Sequence, residues 1–392
     1  MPTFAEFLAP FDPVEFKSSY FGQKPLHIAA RGRALANPLP WKRLNEILDF
    51  AAFWNEDTLK VYYQNRLALR ENYCDLKDPA PGAKAFADPR KVKALLGLGA
   101  SLVANQIQRV SAEVAAIVET LQREFAAGAG ANAYCSFQGV QAFNTHFDLH
   151  DVFAVQAEGE KLWRIYEARA DNPTASVPPG DEAEKWLLAS RGRVLQEVLM
   201  KPGDVLYLPR GQFHDAITGA DASLHVTFWV KPATGLSLFK LLEEAAALDS
   251  EFRAYLPDAS DTAAFGSHLA RLAQHLERVM TSPSFAIEVR NHQRSFATAS
   301  AGFELPQRKR AQYFATVMTG QVERRHEGFS VQIDRTRIDV GANYPAVSWL
   351  LQQKFFSLDD LIARFPFVNV GELHEVLRQL IRIGAIVETE MR

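Results

Sequence analysis

The chain has 392 residues, a formal net charge of −3 at pH 7, and hydrophobic and charged fractions of 47% and 23%. This length exceeds what one ordinary hydrophobic core accommodates and predicts two or three domains. The composition is that of a soluble globular protein. The slight negative charge excludes a general basic field for nucleic acid.

The cysteine count and the amino terminus bear on the compartment in which the protein works. Only Cys74 and Cys135 are present, too few for a disulfide scaffold or a four-thiolate zinc site. Pro10, Pro13 and acidic residues interrupt the first apolar stretch, so neither a signal peptide nor a membrane span is expected. The sequence therefore predicts a cytoplasmic protein.

The first 130 residues alternate between helix-like and loop-like stretches with short strands. Apolar residues recur at three- and four-residue spacing in residues 39–52 and 111–128, which predicts two helices. Gly128 and Gly130 are expected to end the second helix. Residues 78–89, DPAPGAKAFADP, are predicted to form a proline-rich surface loop before the strands of a barrel.

A metal-ligand pattern occupies the middle of the chain. His146 and Asp148 stand two apart in THFD, and if this segment is a strand, their side chains project from the same side. His214 follows GDVLYLP, a buried strand between two turns. Two imidazoles and one carboxylate can hold one face of an octahedral iron(II) and leave the other open. The pattern therefore predicts an iron site at His146, Asp148 and His214.

The context of the motif decides between a metal site and a simpler alternative. By itself, a histidine two residues before an aspartate is more often a hydrogen-bonded surface pair. Here, however, residues 151–168 contain two strand-like runs joined by the turn sequence AEGE (residues 157–160), a pattern typical of a β-hairpin. A strand, a hairpin and a later turn-bounded strand together favour the metal site.

Three segments resemble the JmjC-type, cupin-fold 2-oxoglutarate oxygenases, most closely the ribosomal oxygenases. They are FKSSYFGQKPLHI (residues 16–28), GANAYCSFQGVQAFNTHFDLHDVFAVQAEGEKLWRIY (130–166) and VLYLPRGQFH (205–214). The resemblance implies a double-stranded β-helix, or jelly-roll, core. It also implies that Fe(II), 2-oxoglutarate and O2 are used to hydroxylate a protein side chain, an arginine or histidine of a ribosomal protein. Such a mechanism requires no side-chain nucleophile or general base, and none is assigned.

The resemblance also implies a residue that binds the co-substrate. Lys161 lies thirteen positions after Asp148, where the family has a basic residue paired with the far carboxylate of 2-oxoglutarate. A lysine after Gly-Glu would by itself be expected in solvent, but Lys161 alternates with Trp163 and Ile165, which favours a buried position. A buried ammonium needs a partner, and the dicarboxylate would provide it. Some bacterial members have arginine here, so their substrate is not carried over to this chain.

Five further residues are assigned to the site through the same resemblance. Asn132 and Tyr134 lie on the strand that enters the barrel, and Tyr134 is expected to hydrogen-bond the co-substrate. In SLHVTFWV, His225 and Thr227 share one face, which the resemblance implies looks inward. Thr227 would then donate to the co-substrate, and His225 would lie behind the ligands or contact the substrate. His150 is expected near the site or in solvent, and not among the ligands.

Beyond residue 232 the pattern becomes helical. Leucine, phenylalanine and valine recur at three- and four-residue spacing from residue 235 to about residue 282. These helices either pack on the barrel as a lid or, as the resemblance implies, form a dimerisation module. The sequence itself leaves both alternatives open, and a homodimer is the expectation taken from the resemblance.

The carboxyl-terminal segment has the pattern of a winged-helix domain. SLDDLIARF (residues 357–365) opens with a Ser-x-x-Asp cap, and NVGELHEVLRQLIRIGAIVE (369–388) opens with Asn-x-x-Glu and has Gly384 after its helix. Helix, turn, helix and strand are typical of winged-helix domains. The arginines of the second helix are balanced by glutamates, which argues against DNA binding and favours a protein-contacting or packing role.

Together these patterns predict an α+β chain in three parts. Residues 1–232 are expected to form a JmjC (cupin) oxygenase domain, 233–302 a helical dimerisation region and 303–392 a winged-helix-like domain. Two other classes stay open: a cupin that performs isomerisation or dioxygenation without a keto-acid, and a non-catalytic binding module. Lys161 argues against the first because those reactions need no buried cation there, and the intact ligand set argues against the second. The sequence does not decide which protein is modified, or between hydroxylation and demethylation.

Overall fold

The chain divides into two compact units, Met1–Ser300 and Ala301–Arg392. The structure, a computed structural model, describes residues 2–30, 37–76, 83–137, 144–177, 180–219, 221–296, 312–325, 328–334 and 336–389. The expected boundary between residues 302 and 303 falls outside these ranges. The division of the first 302 residues into an oxygenase domain and a dimerisation region stays a prediction.

Helices and short strands alternate in the first part of the first unit. The helices are α1 (Phe4–Leu8), α2 (Pro13–Ser19), α3 (Trp41–Leu48), α4 (Pro89–Gly97) and α5 (Ala112–Phe125). The strands are β1 (Leu26–Ile28), β2 (Leu59–Tyr63), β3 (Arg66–Leu67), β4 (Cys74–Leu76), β5 (Ala85–Ala87), β6 (Ser101–Ala104) and β7 (Ala127–Ser136). Asp12, Asp88 and Ser111 begin α2, α4 and α5 because their side chains accept hydrogen bonds from backbone N–H groups of the first turn.

The remaining described strands of the first unit follow, with one helix among them, and further helices come after the last strand. The strands are β8 (Asp151–Glu158), β9 (Lys161–Arg169), β10 (Val194–Met200), β11 (Val205–Leu208), β12 (Gln212–Thr218) and β13 (Ser223–Pro232), with α6 (Asp181–Ser190) between β9 and β10. The closing helices are α7 (Leu238–Ala246), α8 (Ser250–Arg253), α9 (Thr262–Thr281) and α10 (Pro283–Arg294). The predicted helical block is therefore present and extends past residue 282.

Two antiparallel sheets form a jelly-roll core. One has eight strands in the order β1-β11-β8-β13-β7-β6-β2-β3, and the other has three in the order β10-β9-β12. In the large sheet β13 lies between β7 and β8, so Thr227 is opposite both Asn132 and Ala154. The sheets pack against each other through a buried cluster of Val152, Ala154, Trp163, Ile165, Val198, Met200, Leu206 and Leu208. This is the double-stranded β-helix that the sequence predicts.

The outer face of the large sheet is covered by the amino-terminal helices. Aromatic rings from α1, α2 and α5 pack edge-on and tilted against Phe153 of β8. Because the opposite face of β8 contributes Val152 and Ala154 to the core between the sheets, residues 151–157 are all buried. A strand covered on both faces is a continuous apolar run rather than an alternating one, and DVFAVQA fits this pattern.

The hairpin expected for residues 151–168 is wrong. β8 pairs with β11 and β13 in the large sheet, whereas β9 pairs with β10 and β12 in the small one. The turn between them carries the chain from one sheet to the other. Gly159 makes this possible, since it has a φ of 63° and an added Cβ would lie 2.0 Å from the carbonyl oxygen of Ala222. The two strands therefore lie on opposite sides of the barrel interior.

Two expectations about the first 130 residues are corrected. Helix α5 ends at Phe125, followed by Ala126 in the left-handed region, and Gly128 and Gly130 lie inside β7. Glycine is needed at position 130 because the indole of Trp229 lies 2.6 Å from where a Cβ would be. The predicted surface loop over residues 78–89 falls partly outside the described residues, and its later part forms β5, which pairs with β4.

The described residues of the second unit form two three-stranded sheets and three helices. Its elements are β14 (Tyr313–Thr316), β15 (Gln321–Arg325), β16 (Gly328–Ile333), β17 (Thr336–Asp339), α11 (Tyr344–Leu350), β18 (Phe355–Ser357), α12 (Leu358–Arg364), α13 (Val370–Arg382) and β19 (Ile386–Thr389). The sheet orders are β18-β14-β19 and β15-β16-β17. The two caps expected from the sequence are present, since the side chains of Ser357 and Asn369 accept from the N–H groups of Asp360 and Glu372. No helix in the described ranges is both long and apolar enough to cross a membrane.

The turn between the two sheets gives a stability test. We expect Gly159→Ala to lower the free energy of unfolding by roughly 3 kcal/mol, because it combines left-handed strain of about 1 kcal/mol with a steric clash of about 2 kcal/mol. Gly22→Ala is the matched control: Gly22 has a φ of 66° but open space around a Cβ, so only the strain, about 1 kcal/mol, is expected. Urea denaturation measures both. Equal losses in the two variants would contradict the close approach at Ala222.

Candidate metal centre

His146, Asp148 and His214 bring three metal-binding side chains together at one end of the small sheet. Their ligand atoms all lie within 4.8 Å of one another, and Nε2 of His214 is 3.7 Å from Oδ2 of Asp148. Neighbouring donors around an ion at about 2.1 Å lie about 3 Å apart, so small side-chain rotations would close the set. Among the described residues this is the one such cluster of histidine, cysteine and carboxylate groups.

A short backbone contact places the two histidines side by side. The N–H of His146 donates to the carbonyl of His214 at 3.0 Å, and the N–H of His214 donates to the carbonyl of His146 at 2.9 Å. Within the described residues, THFD pairs with β12 only through this isolated bridge, so the strand assumed for this segment is not formed. The N–H of Gly211 then donates to the carbonyl of Asp148 at 2.9 Å, so the turn before β12 holds the third ligand.

Hydrogen bonds to backbone carbonyls orient both imidazoles. Nδ1 of His146 lies 2.9 Å from the carbonyl oxygen of Asn144, and Nδ1 of His214 lies 2.9 Å from that of Gln212. Because a carbonyl can only accept, each Nδ1 carries the hydrogen, and Nε2 carries the lone pair in each ring. A histidine that binds a metal through Nε2 has this tautomer, and its Nδ1–H almost always donates a hydrogen bond.

The surroundings also favour the protonation states that a metal requires. Burial, helped by the neighbouring His146, lowers the pKa of His214 to about 4. Burial alone would raise the pKa of Asp148, but the three nearby imidazoles of His214, His146 and His150 outweigh it, so this pKa lies below its ordinary value. At neutral pH the cluster therefore offers a neutral imidazole at His214 and an ionised carboxylate, which are ligand forms.

The three ligands open into a cavity of about 220 Å³ between the sheets. The cavity is lined by Asn132, Tyr134, His146, Asp148, His150, Val152, Lys161, Trp163, His214, Ala216, His225, Thr227 and Trp229. All nine residues assigned to the site from the sequence are in this set, although their individual roles stay predictions. His150, for which solvent was one expectation, lines the cavity.

Lys161 is buried at the start of β9, with 3% of its surface exposed. Its Nζ donates to Oγ of Ser136 at 3.2 Å, and within the described part of the chain it makes no ion pair. Burial lowers the pKa of Lys161 to about 8. An ammonium in this position is stabilised by any anion that enters the cavity.

Other polar atoms of the cavity wall also lack partners among the described residues. They are Nε1 of Trp163 and Nδ1 of His150 and His225, all buried. The ring of His225 stacks on that of Tyr134, with centroids 4.8 Å apart and planes 5° from parallel, and burial holds the pKa of His225 well below its usual value. Burying unpaired polar groups is costly, so the cavity is suited to a polar ligand.

Sequence reasoning did not assign Trp163 and Trp229 to the site. Trp163 alternates with Lys161 along β9, and Trp229 alternates with His225 and Thr227 along β13, so the signal that found the polar residues also marks the tryptophans. Trp163 lies beside two histidines of the wall, with ring centroids 5.7 Å from His214 and 5.4 Å from His225. Trp163 and Trp229 contribute apolar ring surface to the cavity wall.

Comparison with known proteins finds a family model and relatives to which this chain is similar. Residues 103–238 match the model of the JmjC domain. The chain is 30% identical over 256 residues to the bifunctional lysine-specific demethylase and histidyl-hydroxylase NO66 of Dictyostelium discoideum, covering 62% of this chain and 46% of that protein. It is 35% identical over 166 residues to ribosomal oxygenase 1 of Danio rerio, covering 41% of this chain and 30% of that protein. The matched regions thus span less than half the length of these relatives.

Solved structures show the same fold. The crystal structure of the Escherichia coli ribosomal oxygenase YcfD matches with a TM-score of 0.51 and 14% identity, covering 97% of this chain and 98% of that one. A YcfD structure in complex with cobalt and 2-oxoglutarate matches with a TM-score of 0.50 and 13% identity, covering 97% of this chain and 99% of that one. Residues 103–238 thus match the JmjC domain model, and the solved structures show the cupin fold expected from the sequence.

The ligand set gives a direct test with Co(II) as probe. Asp148→Ala removes one donor from a side chain that is 31% exposed, so it opens no core cavity. We expect Co(II) affinity to fall at least about 100-fold, with thermal unfolding of the metal-free protein unchanged. His150→Ala, which removes a cavity histidine outside the donor set, should retain Co(II) binding. If Asp148→Ala bound Co(II) as wild type does, the carboxylate would not be a ligand.

Proposed function

We propose that the chain, which has a JmjC domain over residues 103–238 and is similar to ribosomal oxygenases, is an Fe(II)- and 2-oxoglutarate-dependent protein hydroxylase. The observation that carries this proposal is that the three-donor cluster and the buried Lys161 share one cavity. The proposed substrate is a side chain of a ribosomal protein, arginine or histidine. A cytoplasmic location belongs to the same proposal.

The donor chemistry supports iron(II) as the resident metal. Two imidazoles and one carboxylate on one face are typical of non-haem iron oxygenases, which keep the opposite positions open. When bound, the iron with 2-oxoglutarate and O2 supplies the oxidising chemistry. The side chains of the protein bind, orient and shield. His146 and His214 present Nε2, and Asp148 presents a carboxylate whose lowered pKa keeps it ionised.

Lys161 would hold the far carboxylate of 2-oxoglutarate. Its ammonium is buried without an ion-pair partner in the described residues, and a carboxylate would offset the cost of that burial. Tyr134 and Thr227 line the same cavity and are proposed to add hydrogen bonds to the co-substrate. Asn132, His150 and His225 are proposed to border the substrate.

Both alternative classes leave part of this arrangement without a role. A cupin that isomerises or dioxygenates without a keto-acid would have no use for the buried Lys161. A binding module without catalysis would have no use for two imidazoles held in the ligand tautomer beside an ionised carboxylate. The proposed hydroxylase uses both features.

The experiment that tests the function compares intact ribosomal-protein masses from cells with and without the gene. We expect one ribosomal protein to be lighter by one oxygen atom in cells that lack it. Wild-type protein should restore the mass, and Asp148→Ala should not. Unchanged masses of all ribosomal proteins would contradict the proposed substrate class. A mass difference of one or more methyl groups would indicate demethylation instead of hydroxylation.

Removing the Lys161 ammonium should weaken co-substrate binding without affecting the metal. Lys161→Ala leaves a carboxylate of 2-oxoglutarate buried and unpaired, which costs roughly 2–5 kcal/mol. We expect a corresponding loss of 2-oxoglutarate affinity, measured by calorimetry on Fe(II)-loaded protein in oxygen-free buffer. Fe(II) affinity should stay at the wild-type value. If 2-oxoglutarate bound equally well, Lys161 would not be part of its site.

The pH dependence of co-substrate binding follows from the lowered pKa of Lys161, about 8 in the ligand-free protein. Only the protonated amine attracts a carboxylate, so affinity should be full below pH 7. As pH rises through about 8, affinity should fall, approaching tenfold per pH unit. Lys161→Arg is the matched control because a guanidinium stays charged over this range. A wild-type affinity that is flat from pH 6 to pH 10 would contradict this account.

We also propose that residues 233–302 mediate a homodimer. The described helices of this region bury few side chains, and α9 buries only His268. Exposed apolar side chains in the region are Leu236, Phe239, Leu248, Tyr255, Leu256, Leu269, Met280 and Ile287. An apolar surface this large favours a protein interface.

Light scattering at micromolar concentration tests the dimer. We expect the mass of two chains, retained after removal of residues 303–392. Leu248→Arg changes a side chain that is 86% exposed and should give monomers, whereas Leu98→Arg, at 66% exposed and outside the region, should not. A wild-type monomer would mean that these helices only pack on the barrel.

The second unit is proposed to be a winged-helix-like domain that contacts protein. The support is its sequence of elements, since α12, α13 and β19 follow one another as helix, helix and strand, with β18 immediately before α12. The buried face of α13 consists of Leu373, Val376, Leu377 and Leu380. The arginines of α13 are balanced by its glutamates, which argues against DNA as the partner.

A further inference from the structure

We propose that Asp215 and Thr145 form a positioning pair that fixes the spacing of the two ligand histidines from the outer side of the small sheet. Asp215 follows His214 in β12, and Thr145 precedes His146. Successive side chains of a strand point to opposite faces, so Asp215 points away from the cavity that His214 lines. The inference rests on the proposed metal site and adds residues that touch neither metal nor substrate.

The pair is joined by a direct hydrogen bond. Oγ1 of Thr145 donates to Oδ2 of Asp215 at 2.9 Å, and the two residues are 3% and 1% exposed. The hydroxyl of Tyr166 donates to the same carboxylate oxygen at 2.6 Å, and Nε of Arg164 donates to Oδ1 at 2.7 Å. Both oxygens of a buried carboxylate are thereby satisfied, which gives the contact a defined geometry.

Arg191 completes the network from a third direction. Its Nη1 donates to Oγ1 of Thr145 at 2.6 Å and to the hydroxyl of Tyr166 at 2.9 Å. Its guanidinium lies over the Tyr166 ring, 4.4 Å from the centroid. Thr145 and Tyr166 therefore accept from Arg191 and donate to Asp215, so each hydroxyl has one fixed orientation. The ligand segment is thus tied to β9, to β12 and to the residue that follows α6.

The network acts on a segment that has few backbone hydrogen bonds to β12. Within the described residues, the segment with His146 is joined to β12 by one isolated bridge, and the N–H of Gly211, in the turn before β12, donates to the carbonyl of Asp148. On the outer face, two side-chain pairs flank that bridge. Thr145 and Asp215 form one, and the rings of Phe147 and Phe213, with centroids 5.2 Å apart, form the other. The phenylalanines provide packing. The directional hydrogen bond from the Thr145 hydroxyl to Asp215 keeps the segment from sliding along β12.

Removing one partner of a buried ionic network destabilises a protein by itself, so the test must separate positioning from folding. Thr145→Val keeps the shape and removes the hydroxyl, and Thr145→Ser keeps the hydroxyl. Thr218→Val is the matched control, because Thr218 is a buried threonine of β12, the strand of Asp215, and its hydroxyl has no hydrogen-bond partner among the described residues. The measurements are Co(II) affinity, the visible spectrum of bound Co(II), and hydrogen exchange of residues 144–150 in metal-free protein.

We expect Thr145→Val to bind Co(II) about 10- to 100-fold more weakly, with an altered Co(II) spectrum and faster exchange of residues 144–150. Thr145→Ser should restore all three properties, and Thr218→Val should leave them at wild-type values. Asp215→Asn should change them in the same direction as Thr145→Val. Because the exchange measurement uses metal-free protein, it tests the pair even if wild-type protein fails to bind Co(II), a result that would overturn the proposed metal site instead.

Two results would overturn the positioning role. One is wild-type exchange of residues 144–150 together with wild-type Co(II) affinity in Thr145→Val. The other is an equal loss of affinity in Thr145→Val and Thr218→Val, which would reduce the effect to general stability. Asp215→Asn is not needed for either decision, so a folding failure of that variant leaves the test intact.

Discussion

The pair of backbone hydrogen bonds between His146 and His214 is the contact on which the site depends. It joins the short segment after β7 to β12 at one residue pair and sets both imidazoles side by side, with ring centroids 4.4 Å apart. Since Asp148 is two residues further along and is held by the Gly211 N–H, all three donors follow from one local arrangement. The rest of the jelly roll supplies the walls around it.

The cavity beyond the donors combines polar groups that the described part of the chain does not pair. Burial lowers the pKa values of Lys161 to about 8 and of His214 to about 4, so the interior disfavours positive charge unless an anion is present. Such a site costs free energy in the ligand-free protein, and the buried cluster between the sheets and the aromatic packing under the large sheet offset that cost. The buried Lys161 ammonium, which has no ion-pair partner among the described residues, makes the cavity favourable for an anionic ligand.

The sequence predicted the strands and the inward-facing residues but not the strand partners. Alternation along SLHVTFWV and KLWRIY identifies a face, and the cavity contains Lys161, His225 and Thr227 as expected. Alternation does not identify which strand lies alongside, and for this reason the sequence predicts a hairpin from β8 and β9, which belong to different sheets. The sequence does not predict the hydrogen bond between Thr145 and Asp215 either, because neither residue is a metal ligand and the contact joins segments that are far apart in the chain. Helix caps depend on residues that are close together in the chain, so the sequence predicts the caps at Ser357 and Asn369 correctly.

The central claim is that one cavity binds Fe(II) through three protein donors and 2-oxoglutarate through the metal and Lys161 together. Visible absorption of oxygen-free protein tests it most directly, since a keto-acid bound to Fe(II) gives a charge-transfer band that neither component gives alone. The account predicts that this band appears when 2-oxoglutarate is added to Fe(II)-loaded protein and saturates at one equivalent per chain. Binding of both components without the band would place them at separate sites and contradict the account.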